Sequence, residues 1–390
     1  MLTLHLWTPG LFDFKGGIQT YSGFLLGGLQ TVLPTARLRV FTLHDRSTTL
    51  PTPAAPRLTY HTTGDRHPRL RTAAFAAQTF QAALADRPDL IITTHVNFTP
   101  VAHGLKRWAK LPYWGVAHGF EAWEVAKPSV RRGMAGADQI LAVSGFTRDR
   151  IRQSQGLSNL GVLPNTFDAD RFQVAAKPPQ LLQRYGLRPE QPVILTVNRL
   201  AAGEPFHSYD QIVAALPAIR QVLPDVHYLV VGKGDDRPRL EQLIADRRLQ
   251  DCVTLAGFVP DTDLPDHYAL CDVFAMPSQL EGFGIVYLEA MASGKPVLAG
   301  LDGGQDALQH GDLGALVDPE DVGAIAHHLV QMLTRTYPNP LIYQPQALRQ
   351  RAIEAFGQQS FQRTLAAHLS EQLTPNGAHW QNQADQLRAA

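Results

Sequence analysis

Two carboxylates stand seven residues apart in the segment Glu281-Gly-Phe-Gly-Ile-Val-Tyr-Leu-Glu289, with a Gly-Phe-Gly turn between them and an apolar helical stretch after the turn. A glycine turn that opens a helix leaves backbone N–H groups without intrahelical partners. Those donors and the helix dipole suit a phosphate or diphosphate. Glu281 falls before the helix, beside such an anion, and Glu289 lies near the helix end, about one and a half turns on. Carboxylates accept hydrogen bonds from hydroxyls. One anion cradle with two hydroxyl acceptors is what recognition of a nucleotide sugar requires. Taken as an isolated pair, Glu281 and Glu289 read equally well as solvated charges on a helix face, with Gly294 as a C-cap.

The elements that must position these groups follow from the hydrophobic pattern. Strand-like apolar runs alternate with helical patterns along the whole chain, which predicts an α/β protein with parallel sheets. The runs of the first half are 2–7, 38–42, 90–93, 112–117, 139–143 and 161–163. Those of the second half are 193–197, 227–231, 252–255, 273–275 and 297–299. A chain of 390 residues is expected to form two domains. The strand pattern pauses over 168–184, where Lys177-Pro178-Pro179 interrupts it. The expected division is therefore 1–170 for a first domain and 171–358 for a second. Residues 359–390 form a terminal helix and tail, the helix having Ser360 as N-cap and Phe361, Leu365, Leu369 and Leu373 on one face.

Composition narrows the function classes. Hydrophobic content is 44%, ordinary for a soluble globular protein, and no apolar run approaches a membrane span. The N-terminal Met1-Leu-Thr-Leu-His-Leu-Trp lacks the basic start of a signal peptide and reads as a first strand. Cys252 and Cys271 sit in unrelated contexts, which speaks against a disulfide framework or zinc site and fits a cytoplasmic location, with the inner membrane face as the place of work if the acceptor is a lipid. Net charge is zero, yet residues 1–170 hold 18 Lys and Arg against 11 Asp and Glu, and the remainder is correspondingly acidic. Either the halves attract each other, or the first half meets an anionic acceptor or peripheral membrane surface through groups such as Arg66, Arg69, Arg71, Arg131 and Arg132. No aromatic-interleaved basic motif is present, so nucleic acid is not an expected partner.

Several further motifs follow strands, where open α/β sheets bind ligands. Lys15-Gly16-Gly17 follows the first strand, and its glycines let a ligand approach the backbone closely, although a plain strand-to-helix turn explains them equally well. His95 and His118 each end a strand, and Glu121 is placed to orient His118 or an acceptor hydroxyl. Ser144 follows another strand and suits a helix N-cap as well as an acceptor contact. Gly232-Lys233-Gly234 lacks the third glycine of a dinucleotide fingerprint and reads as a turn lining a nucleotide pocket, not as an NAD site. No Asp-x-Asp pair is placed to hold a metal-bound diphosphate.

The Glu-x7-Glu segment, with Pro277-Ser278 before it and Ala290-Met-Ala-Ser-Gly294 after it, closely resembles the motif of the family 4 retaining glycosyltransferases. So do His118-Gly119-Phe120-Glu121, Val143-Ser144, Pro164-Asn165-Thr166-Phe167-Asp168 and Asn198-Arg199-Leu200. The resemblance runs from Gly16 to about Leu373 and implies two Rossmann-like domains facing a central cleft, the GT-B fold. It implies that Glu281 and His118 contact the donor sugar, that Glu289 holds the ribose, and that Arg199 grips the diphosphate. Backbone at Phe283, Gly284 and Ile285 would meet the diphosphate and sugar, Gly257 and Phe258 the base, and Gly16 and Gly17 the donor phosphates. His95, Glu121 and Ser144 remain acceptor-side candidates. It also implies a terminal helix that crosses back to the first domain.

One departure stands out: His207 occupies the place of an expected lysine that would be the second phosphate cation. The implied activity is metal-independent, cofactor-free transfer of a hexose from a UDP- or GDP-linked donor to a sugar or glycolipid hydroxyl. The alternatives are a nucleotide-sugar epimerase or phosphorylase of the same architecture, the latter without a clear lysine for pyridoxal phosphate, and a non-catalytic nucleotide-sugar-binding partner of an active transferase.

Overall fold

The computed structural model describes residues 1–14, 16–51, 57–203 and 209–373. His207, Lys15 and everything after Leu373 lie outside the described residues. The chain divides into two compact units. The first comprises Met1–Thr166 together with the chain from Gln358, and the second is Phe167–Gly357.

The first unit carries seven parallel strands: β1 Thr3–Thr8, β2 Arg37–Thr42, β3 Leu58–Thr62, β4 Leu90–Thr93, β5 Tyr113–Ala117, β6 Gln139–Ala142 and β7 Leu160–Val162. Their order in the sheet is β3-β2-β1-β4-β5-β6-β7. The second unit repeats the plan with β8 Val193–Val197, β9 His227–Val231, β10 Val253–Gly257, β11 Val273–Met276, β12 Val297–Gly300 and β13 Ala315–Val317. Their order is β10-β9-β8-β11-β12-β13, again all parallel. In each sheet the chain works outward from its first strand to one edge, then crosses to the other side. The switch points lie between β1 and β4 and between β8 and β11, and ligands of such sheets bind beyond the strand carboxyl ends there.

Parallel strands covered on both faces must be apolar almost throughout. β4, β5, β11 and β12 are buried along their whole length. In the second unit Ile212, Val213 and Leu216 of the helix Tyr209–Val222 pack with Ile325 and Leu329 of the helix Val322–Leu333 on Ile194, Tyr228, Val273 and Leu298.

Two strands escape a reading by apolar runs. β3 is a half-buried edge strand of sequence Leu-Thr-Tyr-His-Thr, and β13 is a three-residue edge. The helix Gln358–Leu373 belongs to the first unit and packs on the helix Gly17–Val32. Phe361, Leu365 and Leu369 are buried there. A Cβ at Gly28 would come 3.1 Å from the Phe361 ring. Ser360 lies inside this helix, not at its N-cap, and its carbonyl accepts from the Thr364 hydroxyl at 3.0 Å. The reason is local: the helix follows directly on Gly357, the residue that ends the preceding helix Pro345–Phe356. Among the described residues no helix is long and apolar enough to cross a membrane.

Candidate functional site

The motif residues of the second unit gather beyond the carboxyl ends of β8 and β11. Gly284, at φ 84°, begins the helix Ile285–Ala292, and no side chain caps this end. A Cβ at Gly284 would lie 2.3 Å from the Tyr287 ring, so the turn requires glycine. Phe283 turns inward, buried, with its ring edge-on to Phe356 at 5.4 Å. Only the backbone of Phe283 is therefore offered to a ligand. The far end of the helix is held by Arg349, whose guanidinium donates to the carbonyls of Ala292 at 2.7 Å and Ala169 at 2.8 Å and also to that of Phe172. A cation at the C-terminus complements the helix dipole whose positive end faces the site.

Glu281 precedes this turn. Its N–H donates to the Asp302 carbonyl at 3.0 Å. Leu280, the residue before it, has φ 55°, a conformation that a bulky side chain adopts only under constraint. The loop after β12 supplies that constraint: Gly303, at φ 105°, lies so close that a Cβ would meet the Glu281 carbonyl at 1.7 Å. Glu289 faces inward from the helix. Its Oε2 accepts from the Tyr268 hydroxyl at 2.8 Å. Burial pushes its carboxyl up to about 7, with Tyr268 and the Arg171 guanidinium pulling back and Asp261 adding to the rise.

Arg199 is exposed on the turn after β8. The turn after β9 lies flush against it, because Cβ atoms at Gly232 and Gly234 would each stand 1.7 Å from the carbonyls of Asn198 and Leu200. The Gly232 N–H donates to the Gly257 carbonyl at 2.9 Å, which brings in the turn after β10. Gly257 has φ 75°, and the Phe258 side chain next to it is 60% exposed.

In the first unit Gly16 is the N-cap residue of the helix Gly17–Val32, and a Cβ at Gly17 would touch nothing. The loop before them is fixed by Asp45, fully buried, whose carboxylate accepts from the N–H groups of Leu11 at 2.7 Å, Phe12 at 3.1 Å and Asp13 at 3.0 Å. This backbone nest therefore already holds an anion of the chain's own, whereas the helix start at Gly284 carries no side-chain cap.

His118 follows β5, its Nε2 2.9 Å from the Thr94 carbonyl and its ring edge-on to Tyr21 at 5.1 Å. A carbonyl only accepts, so Nε2 carries the proton and Nδ1 is an acceptor. Burial pushes this imidazole down to about 4. The His118 N–H donates to Glu121 Oε1 at 2.7 Å, so Glu121 orients the histidine's backbone. His95 shows the opposite tautomer: its Nδ1 accepts from the Asn97 N–H at 3.1 Å, which leaves Nε2–H as a donor, and burial lowers its pKa with Glu121 opposing. The first unit thus presents one ring acceptor and one ring donor on neighbouring loops. Ser144 is an N-cap, its Oγ accepting from the Thr147 N–H at 3.0 Å, and it is buried. Of the basic residues, Arg71 is tied down, donating to the Gly64 carbonyl at 2.9 Å.

Residues 16–171 match the family model described as Glycosyltransferase Family 4, and residues 191–335 match Glycosyl transferases group 1. The chain is 35% identical over 274 residues to the GDP-mannose-dependent alpha-(1-6)-phosphatidylinositol monomannoside mannosyltransferase of Mycobacterium tuberculosis, a match covering 68% of this chain and 67% of that one. This chain belongs to the family 4 glycosyltransferases.

The glycosyltransferase is also 32% identical over 200 residues to alpha-D-kanosaminyltransferase of Streptomyces kanamyceticus, across 50% of this chain and 51% of the relative. Among solved structures, Anabaena HepE in complex with UDP superimposes with a TM-score of 0.75 at 22% identity, covering 95% of this chain and 100% of that one. Sucrose-phosphate synthase from Thermosynechococcus elongatus does so with a TM-score of 0.77 at 20% identity, covering 97% and 100%. These likenesses establish the GT-B fold that the family resemblance implied.

Sequence reasoning passed over several supports of the candidate site, Arg349 among them. Asp45, Tyr268 and Arg171 are single residues with no pattern around them. Gly303 carried a legible signal, since the Gly303-Gly304 pair follows β12 as Gly16-Gly17 follows β1.

Proposed function

We propose that this glycosyltransferase moves a hexose from a nucleotide diphosphate sugar, GDP-mannose before UDP-linked donors, to a hydroxyl of a glycolipid, with retention of anomeric configuration. The observation that carries the reading is the glycine-started helix at Gly284, free of a side-chain cap, between Glu281 and Glu289 at the β8/β11 switch point. The relatives' names support the choice of GDP-mannose and of a glycolipid.

In this reading the helix start and Arg199 neutralise the diphosphate as it departs, in the place a metal ion takes elsewhere. Glu289 accepts the ribose hydroxyls and Glu281 those of the sugar. Gly257 and Phe258 adjoin the base. The bond from the anomeric carbon to the phosphate oxygen breaks, and the acceptor oxygen bonds to that carbon on the same face. The acceptor's proton passes to the departing diphosphate, so no side-chain nucleophile is needed. His118 accepts from a substrate hydroxyl at Nδ1, and His95 donates to one at Nε2. The basic surface of the first unit meets an anionic headgroup at the membrane.

A thermal-shift screen of nucleotide sugars, followed by transfer assays with the purified chain, tests this. A true donor at 100 times its Kd stabilises by about 2.7 kcal/mol. GDP-mannose is expected to raise the melting temperature and to support transfer to a mannosylated phospholipid. A response to UDP-sugars alone would replace the donor, and no response to any would remove the reading.

A further inference from the structure

Lys233 sits on the turn after β9, and the backbone fixes that turn from both sides. The Leu200 N–H donates to the Lys233 carbonyl at 3.1 Å, one residue from Arg199. Gly232 and Gly234 leave no room for the turn to shift against Asn198 and Leu200. On the other side the ammonium lies 4.8 Å from the ring centre of Phe258, on the turn after β10. Both side chains are exposed.

The carboxylates nearest in sequence are engaged elsewhere. Asp235 accepts from the Ala202 N–H at 2.9 Å, and buried Asp236 accepts from the Tyr209 hydroxyl and from Arg239. The lysine thus rests on a π face. In water such a contact is weaker than a charge-assisted hydrogen bond to phosphate. β9 and β11 flank β8 and so lie about 10 Å apart, a span that an extended lysine and a diphosphate cover together.

We propose that Lys233 is the second cation of the donor site, in the role the resemblance led one to expect of a lysine near His207. It leaves Phe258 for the diphosphate when a nucleotide binds, and this frees the aromatic face to stack on the base. The inference rests on the donor site proposed above. It explains why a cation and an exposed aromatic ring are paired on adjacent turns beside Arg199.

The test is calorimetric titration of the full chain, wild type, Lys233→Met and Lys233→Arg, with GDP, UDP, guanosine and uridine. The tighter diphosphate should bind Lys233→Met roughly tenfold or more weakly. The matching nucleoside should bind Lys233→Met no more weakly than the wild type, because the Phe258 face is then uncovered. Lys233→Arg should recover most of the diphosphate loss, and the ligand-free melting temperature should change little. Equal diphosphate affinity in Lys233→Met, or an equal loss for the nucleoside, would overturn the lysine's role while leaving the donor site standing. A wild type that binds neither diphosphate would overturn the donor site and this inference with it.

Discussion

The Tyr268 hydroxyl donates to Glu289 Oε2 at 2.8 Å, and this bond does not offset the desolvation of the half-buried carboxylate, whose pKa is pushed up. The folded pKa of about 7 stands above the ordinary 4.5. Between those values the folded chain holds a proton that the unfolded chain has lost, so stability falls as pH rises across that window. The whole penalty is present above about 7. Glu289→Gln keeps the shape and removes the charge. It should raise stability by about 1–3 kcal/mol near pH 8 and change it little near pH 4. Melting curves at the two pH values check this, and a lower melting point for the variant near pH 8 would contradict it.

The same group gives nucleotide binding a pH dependence. Ribose hydroxyls donate to the charged carboxylate and favour it, so binding releases a proton near neutrality. Affinity for a nucleoside diphosphate should rise with pH and level off above about 7, and Glu289→Gln should lose that rise. If His207 rather than Lys233 were the second cation, its protonated ring would act with the opposite sign, weakening binding as pH rises. Titrations of wild type, Glu289→Gln and His207→Ala from about pH 5.5 to 8.5 separate the two slopes. A falling curve in the wild type that His207→Ala flattens would assign the diphosphate contact to the histidine.

Glu281→Gln should separate sugar from nucleotide. Transfer should fall roughly ten- to a hundredfold, the worth of a charged hydrogen bond to a positioned hydroxyl, while free diphosphate binds as before. Equal transfer rates would take Glu281 out of the sugar contact. Gly303→Ala should act on the same residue from behind, because its Cβ would overlap the Glu281 carbonyl at a φ of 105°. A loss of about 2 kcal/mol or more is expected, read as a lower melting temperature.

His118 should stay neutral through the physiological range, since burial holds it near 4 and Thr94 fixes the proton on Nε2. Ring nitrogen chemical shifts from about pH 5.5 to 8 should report one neutral tautomer. An imidazolium signal in that range would contradict the geometry. His118→Ala should slow transfer roughly tenfold, the scale of a neutral hydrogen bond with its partner left unmade.

Much of this was legible in the sequence because parallel strands and switch-point loops have strong local signatures. The buried β4, β5, β11 and β12 announce themselves as apolar runs, and Gly284 sits where a helix must start without a Cβ. The edge strand β3 is half-exposed and interrupted by polar residues, and β13 is apolar but only three residues long, so neither stands out as a run. The pairs that fix the site across the sequence were illegible for another reason. Tyr268 with Glu289, Asp45 with the loop of Leu11 to Asp13, and Gly303 with Glu281 are joined only once the sheets bring their loops together.

The most direct measurement is calorimetric binding of GDP to the wild type, to Arg199→Met and to Glu289→Gln near pH 8, with guanosine as the control. The account predicts that the wild type binds GDP more tightly than guanosine. Arg199→Met should lose that diphosphate advantage by roughly tenfold or more, and Glu289→Gln should weaken both ligands. GDP affinity that is the same in all three proteins would contradict a donor site at the β8/β11 switch point.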